Sequence, residues 1–175
     1  MNPIKITTKS NTPEETHVKA ELESLLDKYD VSKYSFSEKV IVETGVVPHS
    51  HPIITINERT YPTKEHILLL YIHEQLHWYL EKHKNNVEQL IGELKKSYKN
   101  VPVGFPDGAR DEYSTYLHLV LCPLEYKAAK DLFGDKTALV ELKFLQTDLY
   151  RWIYQTVEKD YIKLIDLLKK HSLYI

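Results

Sequence analysis

The chain has 175 residues, 42% of them hydrophobic and 27% charged, a composition that excludes disorder and allows one domain with a real hydrophobic core. Its 23 basic and 25 acidic residues leave a formal charge of −2, so no global field recruits nucleic acid or anionic lipid. The lone cysteine, Cys122, excludes an internal disulfide, MNPIKITTKSNTPEE lacks a secretory apolar stretch, and the longest strongly apolar run is only ILLLYI, so a cytoplasmic protein that does not span a membrane is expected.

In NTPEETHVKAELESLLDKYD, Thr12 is placed to cap a helix, with Pro13 at its first position and Glu15 completing a capping box. Val18, Leu22, Leu25 and Leu26 supply the apolar stripe at helical spacing. Two stretches rich in β-branched residues follow, KVIVETGVV (39–47) and PIITINE (52–58), joined by PHSHP. They predict a small antiparallel sheet over about residues 39–58.

Thr63 in TYPTKEH then caps a helix running to about Lys84, with Ile67, Leu68, Leu69, Leu70, Ile72, Leu76, Trp78 and Leu80 on more than one face. A helix apolar all round is a buried, central one. NNVEQLIGELKKSYK is a shorter amphipathic helix, and NVPVGFPDGA is a Pro/Gly loop. A second largely apolar helix is expected over about 108–132, bent at Pro123, and two amphipathic helices over 136–173. The expected class is α+β, a helix-dominated single domain covering residues 1–175.

Chemistry concentrates in HEQLH, residues His73 to His77. Positions i and i+4 project from one helical face about one turn apart, so both imidazoles can reach one metal ion. Glu74, beside the first of them, can reach a water on that ion and act as general base, then general acid. Two histidines and a glutamate inside an otherwise apolar helix are costly to bury without strong partners, and a metal is the most economical one.

This arrangement resembles the HExxH motif of the zincin metallopeptidases. Only these five residues carry the resemblance specifically, within a stretch of roughly Lys39 to Lys130 where strands precede the motif and another helix follows it. The resemblance implies a Zn²⁺ cofactor, a peptide or protein substrate, and a strand edge before the motif that receives an extended peptide. The glycine and third histidine of the HExxHxxGxxH subgroup are absent from HEQLHWYLEKH, so the likeness is to a minimal gluzincin rather than to a metzincin. His83, in a charged run, reads as solvated.

A third ligand must then come from DEYSTYLHLVLCPLE. His118 lies mid-helix among Leu117, Leu119 and Val120 and is the hardest to explain on a surface. Glu112 is the choice by analogy with gluzincins, though their NExxSD or ExxxD pattern is not reproduced. Glu125, seven residues past His118, is a third choice or an acceptor that orients a ligand. Cys122 is within reach but reads as core. His49 and His51 of PHSHP read first as a polar turn and secondly as substrate or transition-state contacts. Among 13 tyrosines, Tyr113, Tyr116 and Tyr154 are weak candidates for stabilising an oxyanion. Arg151 is a candidate carboxylate anchor. The leading expectation is a zinc-dependent hydrolase, foremost a metallopeptidase. The rivals are a non-catalytic zincin-like module that binds metal or regulates, and a metal-free helical interaction protein.

Overall fold

The computed structural model describes residues 4–59 and 63–175. The chain divides into two units, Met1–Tyr79 and Leu80–Ile175, with the division falling inside a helix. The first unit holds β1 (Lys5–Thr8), α1 (Pro13–Lys28), β2 (Lys39–Val42), β3 (Ile54–Ile56) and most of α2 (Glu65–Lys82). The second holds the end of α2, then α3 (Lys84–Ser97), α4 (Glu112–Leu145) and α5 (Arg151–Lys170).

In the first unit, α1 begins as its cap chemistry dictates. The Thr12 hydroxyl accepts from the Glu15 N–H at 3.2 Å, and the Glu15 carboxylate returns to the Thr12 N–H at 3.4 Å, completing the capping box. Val18, Leu22 and Leu25 form the buried face, and α1 packs on β1 and β2. Sheet order is β1-β2-β3, with Ile6 beside Val40, Val40 beside Ile54 and Val42 beside Ile56. All five of these side chains are buried, and burying each is worth about 1.5–3 kcal/mol.

Helix dominates as expected, but the sheet is wholly parallel, not antiparallel. The expected strands contract to 39–42 and 54–56, and β1 joins them unforeseen. The physical reason lies in the connector from Glu43 to Ile53. It turns at Gly45, in the left-handed region (φ 76°), and carries the chain back so that β3 runs alongside β2 in the same direction. Among the described residues, antiparallel pairing survives only as an isolated bridge, where His49 and Thr55 exchange N–H···O bonds of 3.0 and 2.8 Å.

The start of α2 agrees with expectation: the Thr63 hydroxyl accepts from the His66 N–H at 3.3 Å. Thr60, Tyr61 and Pro62 of the expected helix start lie outside the described residues. Leu68, Tyr71, Ile72 and Leu76 are fully buried, which makes α2 a central helix.

In the second unit, α4 packs against both α3 and α5. Asp111 caps it, accepting from the Ser114 N–H at 2.7 Å. From Thr115 to Ala129 nearly every residue is buried. The backbone leaves helical values at Gly134 (φ 79°, ψ 163°) and not at Pro123, so the expected bend lies eleven residues further on. The segment after Gly134 and α5 are the two expected C-terminal helices. Trp152 of α5 meets Tyr98 edge-on at 6.4 Å between ring centroids. Among the described residues, no helix is long and apolar enough to cross a membrane.

Candidate metal centre

Helix α2 carries His73, Glu74 and His77. His73 and Glu74 are buried and His77 is half-buried. The i, i+4 spacing brings the two imidazoles together edge to face, with centroids 5.2 Å apart. Gln75, between them in sequence, is fully buried and serves the fold: its Oε1 accepts from the Phe36 and Ser37 N–H groups at 2.7 Å each, and its Nε2 donates to the Ser37 carbonyl and the Tyr71 hydroxyl at 2.8 Å each. This bonding pins the rotation of α2 about its axis, and with it the direction of both histidines.

Trp78 follows His77. Its indole N–H donates to the Ser50 carbonyl at 2.9 Å, and its ring stacks on His51 at 4.2 Å. The PHSHP connector is thereby fastened to α2. His51 and His49 are both exposed, the His49 ring bonding the Val47 carbonyl at 3.0 Å. Neither joins a group of metal-capable side chains among the described residues. The β3 edge expected to receive a peptide is already bridged at Thr55 by His49.

Helix α4 carries His118, which is buried with its Nδ1 2.7 Å from the Ser114 carbonyl oxygen. A carbonyl only accepts, so Nδ1 carries the hydrogen and the lone pair of the neutral ring belongs to Nε2. A backbone bond of this kind fixes the tautomer and orientation that metal ligation needs. The Tyr150 ring packs on His118 at 4.3 Å.

His73, His77 and His118 form one group able to hold a metal ion, each offering one nitrogen, with these atoms within 4.8 Å of one another. A second group satisfies the same limit: His73, Cys122 and Glu125, all buried. Glu125 also accepts from the Tyr154 hydroxyl at 2.8 Å. Burial, reinforced by Glu125, pushes the Cys122 thiol well above its ordinary range, and burial together with Cys122 and Glu125 does the same to the Tyr154 phenol. Three imidazoles in one group are a borderline-soft set of the kind Zn²⁺ takes in open sites.

Of the remaining expected residues, Tyr154 touches the second group through Glu125, and the others are engaged elsewhere. Glu112 is exposed on the first turn of α4, 3.7 Å from the Lys95 ammonium. The Tyr113 hydroxyl donates to Glu88 at 2.8 Å, and that of Tyr116 to the Tyr98 carbonyl at 2.6 Å. Tyr154 is held by Glu125, and the Arg151 guanidinium donates to the Asp148 carbonyl at 3.2 Å. Tyr150 was not foreseen. It precedes α5 in the left-handed region (φ 58°), and nothing local distinguishes it from twelve other tyrosines. Set against protein-family profiles, curated proteins and solved structures, the chain gives no match.

Proposed function

We propose that the protein is a zinc-dependent hydrolase, foremost a metallopeptidase of zincin-like kind that acts on a peptide or protein. One observation carries the reading: His73, His77 and His118 form a single metal-capable group, and Glu74 stands beside the first of them. His118 is preferred as third ligand over Glu112, which is exposed and paired with Lys95. Zn²⁺, when bound, supplies Lewis acidity that acidifies water and polarises a carbonyl. The chain's own residues do the rest. The three imidazoles would hold the ion, His118 fixed as its Nδ1–H tautomer by Ser114. Glu74, buried on the same helix, takes the proton of the attacking water and hands it to the leaving amine.

Metal analysis of protein purified without a histidine tag tests the reading. Stoichiometric zinc is expected, falling to background in His77→Ala and in His118→Ala. Glu74→Gln is expected to keep its zinc and lose about 10²- to 10⁴-fold in peptide turnover. A Glu74→Gln variant as fast as the parent overturns the mechanism, and a chain that takes up no zinc overturns the whole reading.

A second reading, a metal-holding or regulatory module without catalysis, is favoured by the group of His73, Cys122 and Glu125. Sulfur and carboxylate donors there are able to close the coordination sphere, as structural zinc sites do. Stoichiometric zinc with no cleavage by the parent of any peptide in a diverse library selects this reading. A cytoplasmic location belongs to the same proposal and rests on the buried free thiol of Cys122.

A further inference from the structure

The segment from Val101 to Ala109 holds two large apolar side chains out in water: Val103 is 58% exposed and Phe105 54%. The backbone that carries them is tied at many points. Gly104 N–H bonds the Ala109 carbonyl at 2.7 Å, and Gly108 N–H bonds the Gly104 carbonyl at 2.9 Å. The Thr115 hydroxyl joins the two ends, accepting from the Ala109 N–H and donating to the Pro102 carbonyl, both at 2.9 Å. The start of α5 closes over it, Arg151 N–H bonding Pro106 at 2.9 Å and Trp152 N–H bonding Asp107 at 3.2 Å. Phe105 is therefore exposed by construction rather than by slackness.

From Phe105 the rings run inward. Its centroid is 5.6 Å from that of Tyr150, and the Tyr150 ring lies 4.3 Å from His118. Tyr150 holds this position with a left-handed backbone (φ 58°), a conformation that costs energy for a bulky residue and recurs at ligand sites. A pre-ordered aromatic step reaching from solvent to a histidine of the metal-capable group favours an apolar, flat-sided occupant, and its stiffness lowers the entropic cost of binding one.

We infer that Phe105 and Tyr150 form the wall that receives a large apolar side chain of the substrate, so that the enzyme selects peptides with an aromatic or large aliphatic residue beside the bond attacked. The inference rests on the metallopeptidase reading and adds the substrate class to it. Phe105 determines specificity and takes no part in the chemistry.

Two dipeptide hydroxamates that differ only in a benzyl or a methyl side chain test it, titrated calorimetrically into the full zinc-loaded chain. The benzyl compound is expected to bind about tenfold or more tightly than the methyl one, a discrimination typical of apolar sites. In Phe105→Ser the margin is expected to shrink to about twofold while zinc content stays at the parent level. Phe105→Leu, which keeps an apolar side chain without the ring, is expected to narrow it partly, and decides alone if Phe105→Ser loses its cooperative melt. Equal affinities in the parent, or a margin that survives the substitutions, overturns the inference and leaves the zinc reading standing. Failure to take up zinc or bind either hydroxamate overturns that reading, and the inference with it.

Discussion

Gln75 shows how much of a metal-capable helix is held by residues that never meet the metal. Its amide is wholly consumed by Phe36, Ser37 and Tyr71, in a position with no access to water. Gln75→Leu keeps the volume but strips partners from two N–H groups and a carbonyl. Each polar group left unpaired in the interior costs about 1–3 kcal/mol, so a loss of about 3 kcal/mol is expected in urea unfolding. Glu15 is the comparable residue in α1. Burial pushes its carboxyl upward, but the N–H groups of Ser10, Thr44 and Thr12 outweigh burial and hold it below its ordinary value of 4.5. A carboxyl lowered by folding contributes stability above its unfolded value, and that contribution is lost as pH falls through the lower folded value. The thermal midpoint of the parent is thus expected to drop more steeply than that of Glu15→Gln as pH falls below the ordinary carboxyl value of 4.5.

Among the elements, those fixed by near neighbours were legible in the sequence. Thr12, Pro13 and Glu15 specify the start of α1 within four residues, and the i, i+4 histidines need only the helix that carries them. The direction of the sheet was not legible, because it depends on where the connector after Val42 returns, not on the strands' own residues. β1 escaped because KITT offers one buried apolar side chain, too few for an alternation to register. Pro123 looked like a helix breaker, yet the helix tolerates its missing N–H and breaks at Gly134, where a φ of 79° with a ψ of 163° suits glycine alone. The company of His118 and the approach of Tyr150 to it are tertiary facts that no spacing encodes. A different glycine governs the loop bearing Phe105. A Cβ on Gly108 would lie 2.0 Å from the Pro102 carbonyl oxygen, backbone that has no room to yield. Gly108→Ala is therefore expected to cost about 1–3 kcal/mol in thermal unfolding, since the loop must open to admit the methyl group.

For the whole molecule, an ion that binds the folded chain alone raises its stability by mass action. Free zinc at about a hundredfold over its dissociation constant contributes about 2.7 kcal/mol, which in a chain of this size lifts the melting temperature by roughly 5–10 °C. Melts with zinc and with EDTA are expected to differ by that interval in the parent and to coincide in His118→Ala. The two tryptophans fall one to each unit, Trp78 stacked on His51 in the first and Trp152 beside Tyr98 in the second. That division is an optical one as well. With Trp152 replaced by Phe, indole emission belongs entirely to Met1–Tyr79; with Trp78 replaced, entirely to Leu80–Ile175. Each unit therefore carries its own lamp, and the one beside His77 stands next in sequence to a histidine proposed to hold the ion.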